Sequence, residues 1–351
     1  MVNAENDVSM IRRINLIFRF SYTFPFFMAS VCGSLFAYLF YEPPLHIVIL
    51  MPLVVLLLAI FVNFSNDYFD HRSGVDKIRF SKAEEMAEAM KISDSKLMKN
   101  IYWEGNPFDN GLVTDGQGKV IMAALVIAAI VLAIPIILFG GLIVALFGII
   151  GILLSYFYTA PPVDMGARGL GEVNVALSFF MLVFCSFYVA TVNVSDPDTT
   201  VFSLFGMDMF TFAWGIFNLE IFVFAVIVGT LVGLMRLTDS MSGQEAHIAN
   251  GEKSIAVRFG LDGTAKIAKS FIVFSYILFV IMMIFINPLC VLLFLPLPLM
   301  RKAWKIMTEK EENWTMKLPP LFFGTAFLTE VFFIIAVTVQ WWFDIAPLVS
   351  L

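Results

Sequence analysis

Apolar residues fall along the chain in nine long blocks, separated by short polar or glycine- and proline-containing interruptions. The blocks cover 15–41, 45–67, 120–139, 141–161, 171–194, 211–236, 267–287, 289–307 and 319–343. A helix crosses the hydrocarbon core of a bilayer with about 20 apolar residues. The pattern therefore predicts an all-α, polytopic membrane protein of nine transmembrane helices, built as a single integral domain over 1–351. The first block does not read as a cleavable leader. It is too long, and it carries Arg19 and Pro25 where a signal peptide has an unbroken apolar core.

Composition narrows the classes further. Hydrophobic residues make up 60% of the 351 residues and charged residues 14%, against about half and about a quarter in a soluble domain. A soluble enzyme and a disordered chain are poor readings of these proportions. The net charge of -6 leaves no basic excess for nucleic acid. The 38 Phe are spread along the whole chain, as in a bundle that faces lipid on all sides. Cys32, Cys185 and Cys290 each lie within an apolar run with no CxxC spacing, so they read as small buried hydrophobes.

The links between blocks alternate in charge. Tyr41–Pro44, Gly140, Val194–Phe210 and Asn287–Pro288 contain no Lys or Arg. All 22 basic residues lie in or beside the N-terminal end and the other links. Nine crossings place those basic groups on one side, which the positive-inside rule identifies as the cytoplasm. The N-terminus is then inside and the C-terminus outside, in a multi-pass protein of the cell membrane. The long links 68–119 and 237–266 become the cytoplasmic segments. Within the first, Ser81–Asn100 is rich in Ala, Glu, Met and Lys and predicts a surface helix.

Candidate chemistry concentrates at the end of the second block, which reads NFSNDYFDHRSGVD over 63–76. Asn63, Asp67 and Asp70 are spaced i, i+4, i+7 and lie within about 60° of one another around a helix. Carboxylates at the mouth of an apolar bundle are costly unless they pair or bind cations. Oxygen ligands on one face suit Mg²⁺, which shares its shell with waters and substrate phosphates. Arg72, Lys77 and Arg79 follow directly, so a diphosphate receptor is a plausible use of the cluster. His71 reads as a solvated loop residue. Glu220 and Glu330 lie deep in the sixth and ninth blocks, where an ionisable group is either functional or held by an interhelical hydrogen bond.

At these residues the sequence resembles the UbiA superfamily of intramembrane prenyltransferases. That family carries an Asn/Asp-rich stretch at the cytoplasmic end of its second helix. Gly74 and Asp76 match the menaquinone branch, in which the last Asp is displaced and the acceptor is 1,4-dihydroxy-2-naphthoate. Arg19-Phe-Ser-Tyr-Thr-Phe-Pro25 resembles the start of the family's first helix. Tyr156-Phe-Tyr158-Thr-Ala-Pro-Pro, followed by Arg168-Gly-Leu-Gly-Glu172, resembles the branch's segment between helices 4 and 5. Gly251-Glu-Lys253-Ser-Ile-Ala-Val-Arg258-Phe-Gly resembles the stretch after its second acidic motif.

The resemblance covers most of the chain. It implies the nine-helix fold and Mg²⁺-dependent transfer of a polyprenyl group from an isoprenyl diphosphate to an aromatic acceptor, within the lipid bilayer. By that resemblance Asn63, Asp67, Asp70 and Asp76 hold metal and diphosphate, with Asp239 and Glu245 as a second set. Asp67, Asp70 and Asp239 are then catalytic. Arg72, Lys77, Arg236 and Lys253 bind phosphate, and Tyr158 and Arg168 border the chamber. Tyr156, Tyr158 and Phe69 could face an allylic cation.

The chain departs from the family in two places. Segment 77–107 is longer than the branch's. Where the family has two Asp four apart, this chain has Gly243 and His247, which leaves Asp239 and Glu245 out of register. Other acceptors of the same reaction class are 4-hydroxybenzoate, a chlorophyll-type ring or a glycerol-phosphate lipid. A non-catalytic lipid-binding or transport protein is the competing class. Transporters place their polar sites near the midplane of repeated halves, whereas the clusters here lie at the bundle mouth.

Overall fold

The computed structural model describes residues 10–74, 106–158, 160, 162–194, 199–204, 207–213, 216–249 and 251–345. Asp76, Lys77 and the Ser81–Asn100 helix expected from sequence lie outside them. The described chain is helical apart from one hairpin. Its helices are α1 (Met10–Phe18), α2 (Phe20–Tyr41), α3 (Leu45–Ser73), α4 (Asp115–Gly140), α5 (Leu142–Tyr156) and α6 (Gly171–Thr191), then α7 (Leu219–Ser242), α8 (Gln244–Ala249), α9 (Ile255–Ile281), α10 (Leu297–Glu309) and α11 (Pro319–Trp342). The strands β1 (Thr199–Leu204) and β2 (Met207–Ala213) pair antiparallel, with a bulge between Phe202 and Ser203.

Seven helical stretches among the described residues are long and apolar enough to cross a membrane, rather than the nine expected. They contain α2, α3, α4, α6, α7, α9 and α11. The two remaining blocks form shorter structures. Block 141–161 yields α5, whose 15 residues span only about 22 Å. Block 289–307 divides into a 3₁₀ turn, Pro288–Phe294, and α10. Pro296 and Pro298 sit at the division, where a residue without an N–H cannot extend a helix begun before it.

The sixth block is also corrected at its start. Residues 211–213 belong to β2, and α7 begins only at Leu219. Asn218 sets that start, its Oδ1 accepting from the N–H groups of Glu220 at 2.9 Å and Ile221 at 3.2 Å. The first block breaks at Arg19, whose φ of 46° and ψ of 49° separate α1 from α2. At the other end of the chain's polar region, α7 runs on to Ser242, so the link to α9 is much shorter than the expected 237–266.

Helix α7 is the enclosed centre of the bundle and packs against α6, α9 and α11. Gly229 and Gly233 lie one turn apart on its α6-facing side. A Cβ at Gly229 would sit 2.5 Å from the Ala176 carbonyl, and one at Gly233 would sit 3.0 Å from the Ala176 Cβ. Small residues at this spacing let two helix backbones approach closely, which matters where lipid supplies no hydrophobic drive between helices. Bulky rings fill the space that remains. Phe224 of α7 stacks on Phe333 of α11 with centroids 3.5 Å apart, and Phe36 of α2 lies against Phe333 and Phe187.

Buried polar side chains tie the bundle together. Asn287 donates to Glu220 at 2.8 Å and to Gln340 at 2.7 Å, joining α7, the α9 end and α11. Such bonds satisfy groups that lipid cannot solvate. Glu330 is fully buried on α11, with neither carboxylate oxygen hydrogen-bonded.

The links that carry Lys and Arg gather at one end of the bundle. His71 in the last turn of α3 contacts Asp109 of the link and Asp115 at the start of α4. Lys253 N–H donates to the Ala167 carbonyl at 2.7 Å, and Lys310 pairs with Asp262. Cysteine placed at Ser73 or Glu311, in a Cys185→Ser background, is therefore expected to react with an impermeant maleimide from one side of sealed vesicles. Cysteine at Glu42 should react from the other side, and all three reacting from one side would refute this arrangement. Ser240, in the link expected from sequence to be exposed, is fully buried and unsuitable as a probe.

The glycine contact is tested separately. Gly229→Ala should destabilise the protein by about 1–3 kcal/mol through overpacking. Gly148→Ala, which meets nothing within 4 Å, should be neutral or stabilising because Ala is the better helix former. Thermal unfolding in detergent compares the two.

Candidate active site

A cavity of about 650 Å³ runs through the bundle between α2, α3, α4, α5, α6, α7 and α11. Most of its wall is apolar. Met51 and Val54 of α3, Ile137 of α4 and Phe179 of α6 are typical of it. Polar side chains collect at the end where the basic links gather. Asn63, Asn66, Asp67 and Asp70 enter from α3, Arg236, Asp239 and Ser242 from α7, and Arg19 from the α1–α2 joint.

The α3 cluster follows from helix periodicity, because α3 continues without a break to Ser73. Asp67 is buried, its side chain 2% exposed, and Arg19 Nε approaches its Oδ2 at 2.9 Å. Asn66 Nδ2 donates to Asp70 Oδ2 at 3.0 Å. The segment after the insert returns to cover this end. Asn106 Nδ2 donates to the Asp67 carbonyl at 2.7 Å, and Phe108 packs on Phe64 and Tyr68. His71 reaches Asp109 at 2.6 Å and stacks on Phe108, so it pins this cover in place rather than standing in solvent.

The α7 side is a second charged assembly. Arg236 Nη1 donates to Asp239 Oδ2 at 2.8 Å, and its guanidinium lies 5.8 Å from the Tyr158 ring centroid. Burial raises the Tyr158 phenol above its usual range, with Arg236 pulling it down and Asp239 pushing it up. Asn174 of α6 also borders the cavity and donates to the Leu154 carbonyl at 3.1 Å.

The structure thus brings Asn63, Asp67, Asp70, Tyr158, Arg236 and Asp239 to one cavity. It leaves Arg72, Arg168, Lys253 and Glu245 off the lining. Arg72 is exposed and turns back onto Tyr68, its Nη1 3.4 Å from the Tyr68 hydroxyl. Arg168 is exposed and donates to the Pro162 carbonyl at 2.7 Å. Lys253 is exposed and meets the α5–α6 link through its backbone. Glu245 is exposed on α8, beyond the helix end at Gly243. At the two positions where the family has Asp, His247 is buried against Glu252 and packs over Gly243. Neither Glu220 nor Glu330 lines the cavity.

Arg19, Asn66, Asn174 and Ser242 are cavity residues that the motif reading did not assign. Arg19 had a signal, as a cation inside an apolar block. Asn66 lies inside the 63–76 stretch, one residue before Asp67, whereas Asn174 and Ser242 are neutral polar residues in helices with nothing local to mark them.

A closed protein cage for a metal is not formed. Among the described residues no three His, Cys, Asp or Glu side chains converge on one point. The donor set still fits Mg²⁺, which uses one or two carboxylates and completes its shell with phosphate oxygens and water. Two buried donors, Asn63 Nδ2 and Arg236 Nε, have no hydrogen-bond partner, and both residues line the same cavity. An oxygen-rich anion held between α3 and α7 would satisfy such donors.

Known proteins share this arrangement of helices. A UbiA homologue from Archaeoglobus fulgidus, whose structure holds GPP and Mg²⁺, has a TM-score of 0.62 at 14% identity, with 93% of this chain aligned to 98% of that one. A digeranylgeranylglyceryl phosphate synthase aligns over 93% of this chain and 98% of its own, with a TM-score of 0.53 and 16% identity. A UbiA homologue from Aeropyrum pernix K1 aligns over 89% and 99%, with a TM-score of 0.56 and 14% identity. At such identities the likeness is one of fold. No curated protein sequence matches the chain. The sequence model of the UbiA prenyltransferase family matches residues 26–329, from the first crossing helix to the last. This chain belongs to the UbiA prenyltransferase family.

Proposed function

We propose that the chain transfers a polyprenyl group from an isoprenyl diphosphate to an aromatic acceptor, with a naphthoate of the 1,4-dihydroxy-2-naphthoate type as the acceptor. The observation that carries the transferase reading is the division of one cavity into a charged mouth and a long apolar body. An amphiphile with a diphosphate head and an isoprenoid tail matches that division. The diphosphates bound with Mg²⁺ in the Archaeoglobus structures support the same reading. The naphthoate acceptor rests on sequence, on Gly74, Asp76 and the Tyr156–Glu172 segment. The glycerol-phosphate lipid acceptor is the second reading, favoured by the likeness to the digeranylgeranylglyceryl phosphate synthase. The mouth opens to the cytoplasm if the basic links are cytoplasmic.

Asp67 and Asp70 on α3 and Asp239 on α7 would hold Mg²⁺ together with the diphosphate. The ion would neutralise charge on the departing diphosphate. Asn63 Nδ2 and Arg236 would donate to phosphate oxygens. As the allylic C–O bond breaks, the apolar walls exclude water from the carbon left positive. The Tyr158 ring offers it a π face. A ring carbon of the acceptor then bonds to that carbon, and its proton passes to the departed diphosphate, which restores the aromatic ring. Asp76 and Lys77 retain their proposed roles in metal and phosphate binding, outside the described residues. The placement of Arg72, Arg168, Lys253 and Glu245 removes them from the site as proposed here.

Product analysis of the purified chain with Mg²⁺, prenyl diphosphates of several lengths and a panel of acceptors tests the reading. Prenylated naphthoate is expected, and a product only with a glycerol-phosphate lipid would move the chain to the second reading. Activity should vanish with exhaustive chelation and return with Mg²⁺. Turnover that survives chelation would sink the metal assignment.

Single variants separate the two acidic regions. Asp67→Asn and Asp239→Asn should each lower turnover by about 10²–10³-fold, the equivalent of several kcal/mol at a metal-stabilised transition state. Glu245→Gln should retain turnover within about twofold, because an exposed carboxylate contributes little. A severe loss in Glu245→Gln with a mild one in Asp239→Asn would reverse the assignment.

A further inference from the structure

We propose that the outer surface of α9 and α10 is a binding site for an anionic phospholipid headgroup, separate from the cavity. The exposed face of α10 from Pro298 to Glu309 forms a shallow groove that carries Arg301, Lys302 and Lys305. Lys269 of α9 reaches across to it, donating to Thr308 Oγ1 at 2.8 Å and lying 5.1 Å from the Trp304 ring centroid.

Charge pairing leaves part of this patch without a counter-ion. Lys305 meets Glu309 at 3.6 Å, Lys310 meets Asp262, and Lys317 meets Glu311 at 3.5 Å. Arg301 and Lys302 have no ion-pair partner among the described residues, and both are exposed. The patch therefore keeps two unneutralised cations on adjacent positions, with Lys269 held against Trp304 and Thr308 of α10.

The apolar surroundings favour a lipid over a soluble anion. From one turn beyond Lys269 the same side of α9 carries Val273, Ile277 and Val280, all exposed. On α10 and the turn before it, Leu297, Leu295 and Val291 are exposed in the same way. The cations thus mark the edge of two lipid-facing stripes, which is the level of the headgroups. Trp304, 40% exposed, sits at that edge, where indole rings are enriched. A phosphate on the cations with acyl chains along the stripes satisfies both halves of the surface. The buried side of α10, Met300, Ala303 and Met307, is already used in packing and plays no part.

Native mass spectrometry of the full-length protein in detergent tests the site, with phosphatidylglycerol and phosphatidylcholine as probes. Wild type should retain phosphatidylglycerol at least tenfold better than phosphatidylcholine. Arg301→Gln/Lys302→Gln should lose about 25-fold in phosphatidylglycerol affinity, from roughly fivefold per cation at an anionic surface. Lys119→Gln/Arg258→Gln, with the same charge change elsewhere, should bind as wild type does. Equal retention of the two lipids by wild type, or unchanged binding in Arg301→Gln/Lys302→Gln, would overturn the proposal. Displacement of the lipid by millimolar inorganic diphosphate would also overturn it, by showing a site for a soluble anion. None of these readouts depends on prenyl transfer.

Discussion

An ionised side chain in a hydrocarbon medium is tolerated only beside a compensating charge, a cation or water, and the pairing of Arg19 with Asp67 meets that demand at the centre of the site. Asp67 is nearly closed off from solvent on a helix that crosses the membrane. Arg19 reaches it only because the chain breaks between α1 and α2, in a left-handed conformation that costs a non-glycine residue energy. The break, the ion pair and the position of the cavity mouth are thus one arrangement. Arg236 and Asp239 repeat the solution across the cavity, with both charges on one helix.

The cavity exists because packing is uneven around it. Helix α7 is drawn tightly to α6 through Gly229 and Gly233, and the Phe rings of α2, α7 and α11 fill the space beside it. The wall contributed by α4 and α5 intersperses small side chains among its large apolar ones. Ala129, Ala133, Ala145, Gly148 and Gly151 all border the cavity, and a Cβ at either glycine would meet nothing within 4 Å. Both helices turn much of their remaining surface outward, as the exposure of Ile127, Leu138 and Ile149 shows. Close packing on one side and a wall with gaps at its small residues on the other leave a long apolar space with a charged opening.

The irregular second motif has a structural reason. Helix α7 ends at Ser242, and Gly243 closes it, its N–H bonding to the Asp239 carbonyl. Residues after that point belong to the short α8, and Glu245 lies six residues past Asp239, about 240° around a helix, so it does not share a face with Asp239. Glu245 is exposed for this reason, and His247 fills the family's Asp position by packing on Gly243 and pairing with Glu252. One carboxylate from α7, rather than two, remains on the cavity.

What the chain's order of residues determines by itself is whatever lipid imposes locally. A run of about 20 apolar residues must become a helix because no other backbone conformation satisfies its own polar groups, so most of the crossing helices are legible. The single face of Asn63, Asp67 and Asp70 is legible too, since it needs only the helical period. Block 211–236 misled because β2 and α7 are both apolar, and composition does not distinguish a strand from the start of a helix. Block 289–307 misled because hydropathy averages over the prolines that divide it. The partners of each charge were decided by tertiary structure alone. Arg72, Lys253 and Arg168 follow acidic or glycine-rich motifs in sequence yet face away from the cavity, whereas Arg19 meets Asp67 from nearly 50 positions upstream. Proximity along the chain sets a helix face, but which faces meet depends on how the helices pack.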